Sequence, residues 1–260
     1  MKNIKIYHSA YGREGFHISE SAGIEVDLSA LENFYAAMGE KHLRSLQKFI
    51  VYWKSEGYER FFNPQAVIRT LPIKTAADNF GTKTLPLNDS VDQIVMAVWT
   101  IGAELEKEAS EMMSSLGNLM TGFLLDVAGS IALYNMHAEL TAWIKENIAV
   151  PDNKFINGEF YPGMGSIKQD LMERVVTLCE TERMIGVSAS GNSLLRPGKS
   201  QCSFTALGSS EHEIEVKMEP CRPCTGKKCL YYQLGGCHMM TCGSPGLGTF
   251  PAQPQNTKVF

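Results

Sequence analysis

Five of the chain's seven cysteines fall within 22 residues, as Cys221-x2-Cys224-x4-Cys229-x7-Cys237-x4-Cys242. Crowded thiolates repel one another unless a cation sits between them or they are oxidised in pairs. A disulfide scaffold is usually a short secreted chain with cysteines spread throughout. Here about 200 residues, apolar enough to fold without staples, come first, and Met1–His8 carries no apolar run of signal-peptide length. These features predict a reducing cytoplasm and a metal site. Thiolates prefer soft or borderline ions, so iron–sulfur clusters and zinc are the candidates. Structural zinc sites commonly use two paired-cysteine knuckles, whereas this run has one, followed by irregular gaps on a loop containing Gly226, Gly235 and Gly236. That pattern favours a four-thiolate [4Fe-4S] cluster over zinc. The predicted ligands are Cys221, Cys224, Cys229 and Cys237, with Cys242 spare and His238 a possible substitute. Cys179 and Cys202 stand alone and are predicted to be buried and inert.

Around the first three clustered cysteines lie Lys217, Arg222, Lys227 and Lys228, opposed only by Glu219. This basic collar could steer an acidic partner or offset the charge of a thiolate-ligated cluster; a solvated loop is the plainer reading. Overall the net charge is −4, with 44% hydrophobic and 20% charged residues. That balance is ordinary for a globular protein and disfavours a nucleic-acid partner. Uncharged apolar runs fall short of the ~20 residues of a membrane helix, so no membrane role is expected.

The body that must position these groups reads as mixed helix and strand. Short alternating stretches over residues 4–28 suggest strands and turns. Leu31, Tyr35, Met38, Leu46, Phe49 and Trp53 share one face of a predicted helix over 29–56, stopped by Gly57. The segment from Phe61 to Pro72 reads as a loop entering a strand. Ile94, Val98, Ile101 and Leu105 recur at helical spacing, predicting a helix from Ser90. A long apolar helix is expected over 117–147, with Gly122, Gly129 and Ala132 as a small-residue stripe and Pro151 beyond its end. Asp126 within it reads first as a carboxylate capping backbone. Ser166 and Gln169 form a capping-box pair for a helix reaching about Arg183. Strands are expected near 184–190 and 201–207, with an edge strand over 211–218. Trp53, Trp99 and Trp143 fall at predicted helical core positions. Five of eleven prolines lie between 220 and 254, placing boundaries at a body of 1–218, a cysteine-rich segment of 219–242 and a tail of 243–260.

Four motifs recur in order across residues 60–210: Thr100-Ile101-Gly102 before the acidic Glu104, Leu125-Asp126 with Gly129-Ser130, Pro162-Gly163-Met164-Gly165, and Pro197-Gly198-Lys199-Ser200. Together they resemble the activation (reactivation) domain of cobalamin-dependent methionine synthase. The resemblance implies an α+β fold, a twisted antiparallel sheet flanked by helices. It implies docking on a cobalamin-binding corrinoid protein or methyltransferase while cob(II)alamin is reduced and remethylated, with an electron donor possible as a further partner. It also implies an S-adenosylmethionine groove, for which Tyr161, Pro162, Gly163 and Gly165 remain, with Arg196 and Lys199 as cations. Three positions depart from the pattern. The expected arginine meets Gly158 or Glu159, the turn aromatic is Met164, and a helical acid falls near Tyr134. S-adenosylmethionine should therefore bind weakly or not at all. The function expected is an accessory redox or activation protein passing an electron to cob(II)alamin through the cluster. The alternatives are a zinc-bearing corrinoid-protein binding module and an S-adenosylmethionine-binding reactivation subunit.

Overall fold

The computed structural model describes residues 4–8, 16–21, 24, 26, 28–37, 39–81, 85, 87–163, 167–191 and 193–211. The clustered cysteines, the expected strand over 211–218 from residue 212 onward, the basic collar, and Met164, Gly165 and Ser166 lie outside them.

A six-stranded antiparallel sheet organises the molecule. Its strands are β1 (Ile4–His8), β2 (Phe16–Ser21), β3 (Gln65–Pro72), β4 (Val91–Thr100), β5 (Phe155–Phe160) and β8 (Ser200–Gly208), in spatial order β1-β2-β3-β4-β8-β5. A separate two-stranded pair joins β6 (Ser188–Ala189) to β7 (Leu195–Arg196). Helices cover both sheet faces. Packed on one are α1 (Ser29–Ala37), α2 (Glu40–Glu56), α4 (Glu104–Ser114) and α5 (Leu119–Ile144), with Leu31, Phe49, Trp53, Val95, Trp99, Leu105 and Leu124 in the core. The other face carries α3 (Ile73–Phe80), α6 (Leu171–Leu178) and α7 (Thr181–Ile185) over Val67, Ile94, Met96, Val98 and Phe204. This is the α+β architecture expected.

The predicted helix from Ser90 is instead β4. Ile94 and Val98 share parity on a strand as readily as they share a helical face. They point into one core while Val95, Ala97 and Trp99 point into the other. A strand buried on both faces reads as a continuous apolar run, in which helical spacings arise by chance. Trp99 is therefore a core residue, but on a strand.

Other boundaries shift for local reasons. The single helix expected over 29–56 is two, separated at Gly39, whose φ of 103° no right-handed helix accommodates. The helix expected to run to Arg183 breaks at Glu180, in the left-handed region, so α6 and α7 are separate and α7 occupies part of the strand predicted near 184–190. The expected capping box pairs Gln169 with Ser166, which lies outside the described residues; the Gln169 amide donates to the Ser193 carbonyl, and α6 starts only at Leu171, without a side-chain cap.

The long helix is present, ending in a π-helical turn over Lys145–Ala149. Its small-residue stripe is where α4 packs. A Cβ on Gly122 would sit 2.7 Å from the Ala109 carbonyl oxygen, and one on Gly129 would sit 2.6 Å from Leu105 Cδ2. Contrary to the expectation from uncharged runs, Leu119–Ala149 is long and apolar enough to cross a membrane by length and composition. In this fold 61% of its most apolar window is buried within the protein, as a core helix.

Candidate functional site

Three of the four sequence motifs meet where β4 and β8 end against α4 and α5. Lys199 Nζ lies 2.9 Å from Asp126 Oδ1 and donates to Ser130 Oγ at 2.9 Å. The Ser130 hydroxyl in turn donates to the Asp126 carbonyl at 3.3 Å. Asp126 is thus not a backbone cap but the counter-ion of a largely buried lysine. Next to it, Thr100 Oγ1 accepts from the Gly102 amide (3.0 Å) and from the Ser200 hydroxyl (2.9 Å), and donates to the Lys199 carbonyl (3.3 Å). A hydroxyl has one donor and two acceptor sites, so Thr100 is fully used. Glu106 accepts the Gly198 amide at 2.6 Å, and Arg196 approaches the same carboxylate at 3.9 Å. Glu106, two residues beyond the motif's Glu104, therefore holds the Pro-Gly-Lys segment in place.

Two α-helical turns further along α5 lies a second polar group. His137 Nε2 is 2.9 Å and 3.0 Å from the two oxygens of Glu159, 2.9 Å from Tyr161 Oη and 3.3 Å from Thr141 Oγ1. Its ring stacks on Trp99 at 5.4 Å between centroids, and Trp99 Nε1 donates to the Leu133 carbonyl at 3.2 Å. His137 and Glu159 expose only 14% and 12% of their side chains. Burial pushes Glu159 up, yet the charge of His137 and hydrogen bonds from His137, Tyr161 and Ser203 outweigh it, so its carboxyl stays below the ordinary range. Burial pushes His137 down, but the Glu159 charge and hydrogen bond prevail and raise it. The pair is an ion pair at mildly acidic pH.

These contacts sort the predicted cofactor residues. Lys199 and Arg196 are joined to one cluster through Asp126 and Glu106. Tyr161 is buried and committed to His137, so it presents no open wall to a ligand. Pro162 is buried, and Gly163 turns with φ 83° against Gln169, its amide donating to the Ile167 carbonyl. Gly165 lies outside the described residues. Sequence reasoning did not find the His137–Glu159 pair. The signal was there: Glu159 and Tyr161 are two apart, so strand alternation turns both toward the helix. Among the described residues no group of three or more His, Cys, Asp or Glu could hold a metal, and Cys179 and Cys202 are free and buried.

No family model matches the chain, and no curated protein matches it in sequence. Among solved structures, a crystal structure of the MetH reactivation domain bound to AdoHcy is similar, with a TM-score of 0.56 and 14% identity. The likeness covers 78% of this chain and 82% of that one. What the two share is the fold.

Proposed function

We propose that this chain is an accessory activation protein for a corrinoid-dependent methyltransferase, docking on the cobalamin-binding protein through its α+β body. The carrying observation is the likeness in fold to the MetH reactivation domain over four-fifths of each chain. It is supported by the meeting of Thr100, Asp126 and Lys199, each from a separate motif of the resemblance, in one hydrogen-bonded unit. The body is assigned to 1–218, a cysteine-rich metal segment to 219–242 and a tail to 243–260. Cys221, Cys224, Cys229 and Cys237, with Cys242 spare, are a soft donor set that suits an iron–sulfur cluster, with zinc as the alternative. A [4Fe-4S] cluster held there would supply single electrons for reducing cob(II)alamin.

An activator must bind the inactive state better than the active one, because a ligand shifts an equilibrium only through differential affinity. The full chain should therefore bind a corrinoid protein more tightly in the cob(II)alamin state than in the methylated state. Titration calorimetry against both states measures this. Equal affinity would remove the gating role, and no binding to either would overturn the reading.

AdoHcy in the related structure favours a second reading, an S-adenosylmethionine-binding reactivation subunit. Against it stands the position where the resemblance calls for a cation to meet the ligand's own carboxylate: it falls at Gly158, which has no side chain, or at Glu159, a carboxylate. Calorimetry with S-adenosylmethionine should show no micromolar binding. Micromolar affinity would mean that Arg196 or Lys199 has exchanged its acidic partner for the ligand.

A further inference from the structure

The turn joining α4 to α5 presents a run of apolar side chains to solvent. Leu116 is fully exposed and Leu119 63% exposed, and Met120, Phe123 and Met113 are exposed beside them. Leu119 and Phe123 stand four residues apart on the first turns of α5 with Met120 beside them, and Leu116 precedes them in the turn. Met113 joins them, because its side chain lies against Gly122. Isolated exposed leucines need no explanation, but a contiguous group of five large apolar residues marks a surface that something covers.

The surroundings say what kind of segment fits. No lysine or arginine occurs between Lys107 and Lys145, while α4 carries Glu104, Glu106, Glu108 and Glu111. Glu106 and Glu108 already have partners in Gly198 and Tyr52, leaving Glu104 and Glu111 exposed toward solvent. The complement of an apolar patch with an acidic flank is a segment that is basic and apolar. This chain contains one: Lys217, Arg222, Lys227 and Lys228, followed by Leu230, Tyr231, Tyr232 and Leu234. We propose that residues 227–234 of the same chain, which hold Lys227, Lys228 and the four apolar residues, dock on the α4–α5 tip with the two lysines toward the acidic helix.

Reach permits it. Ser130 meets Lys199 at the start of β8, so residues 119–129 extend about 16 Å beyond that end of the sheet. The chain leaves β8 at its other end, about 30 Å away. The required span is then about 45 Å, and the 18 residue-to-residue steps from Ser209 to Lys227 cover up to about 60 Å when extended. The proposal is independent of what the cysteines bind and of any corrinoid partner.

Zero-length carbodiimide cross-linking of the full chain, purified without oxygen and mixed as equal parts light and nitrogen-15-labelled protein, tests it. Links from Glu104 or Glu111 to Lys227 or Lys228 should appear, and only between peptides of the same isotope. The double substitution Leu116→Asp and Leu119→Asp removes apolar area without touching the linked groups. It should cut the yield about tenfold or more, since each buried leucine contributes more than a tenfold factor in docking. Both sites are exposed, and far-ultraviolet circular dichroism should be unchanged. Mixed-isotope links would assign the patch to a second copy and overturn the proposal. So would the absence of these links, or a yield that the double variant leaves intact.

Discussion

Glu159→Gln should lower stability by about 2–3 kcal/mol near pH 6 and abolish a pH dependence that the unaltered protein shows. Both members of the His137–Glu159 pair are largely buried, and removing one partner of such a pair costs about 3–5 kcal/mol when burial is complete. The remaining exposure and the retained amide hydrogen bonds trim that figure. The direction of each shift sets the pH window. Glu159 is depressed, so its contribution is present above the ordinary carboxylate value and is lost as pH falls through its lower folded value. His137 is raised, so its contribution is full below the ordinary imidazole value and is lost as pH rises through its higher folded value. Together they stabilise most between about pH 4.5 and 6.5. Urea denaturation from pH 5 to 9 should show the unaltered protein weakening above that window, whereas Glu159→Gln should lose that decline and gain stability as pH rises toward the ordinary imidazole value, because burial without the Glu159 charge pushes His137 down. Equal slopes would mean that His137 is not charged in the folded state.

Metal content should depend on the clustered cysteines one by one. Changing Cys221, Cys224, Cys229 or Cys237 singly to Ser should take elemental analysis from about four irons per chain toward none, because a hydroxyl is a poor ligand at neutral pH. Cys179→Ala and Cys202→Ala should leave it unchanged. Burial pushes the Cys179 thiol up to about 12 and raises that of Cys202 as well, so neither is a thiolate at neutral pH. Full iron in Cys221→Ser would relocate the ligand set. A colourless protein with one zinc per chain would replace the electron-transfer role with the binding-module alternative.

Residue pattern alone went far with the fold wherever one face of an element meets water. Helix α2 follows from its periodicity and from Gly57, while the long α5 was legible for a different reason, its unbroken apolar length and Pro151 beyond its end. It failed at β4, where burial on both faces erases the alternation that distinguishes a strand. It failed again at Glu180 and Gly39, where a single backbone conformation divides what composition joins. The site was legible as parts but not as an assembly. Asp126 and Lys199 each stood out within a motif, yet their pairing depends on a contact across 73 residues that local spacing does not encode. His137 passed unnoticed on an apolar helix, since its meaning comes from Glu159 on another element.

The place of β4 at the centre of the sheet also bears on how the chain is made. Its partner on one side, β3, precedes it closely, but β8 on the other side begins at Ser200, a hundred residues after Thr100. At roughly 5–20 residues per second, a ribosome needs about 5–20 s to synthesise that interval. Throughout it, Val95, Met96, Val98 and Trp99 belong to a strand with an open edge, the arrangement most prone to pairing with another nascent chain. Helices α4 and α5 are made next and can cover one face of that strand, so translation order itself shields half of the exposed surface before the sheet closes. A chain stalled before residue 208 would lack the strand that completes it, and chaperone capture of such intermediates is where cells would meet the cost of this topology.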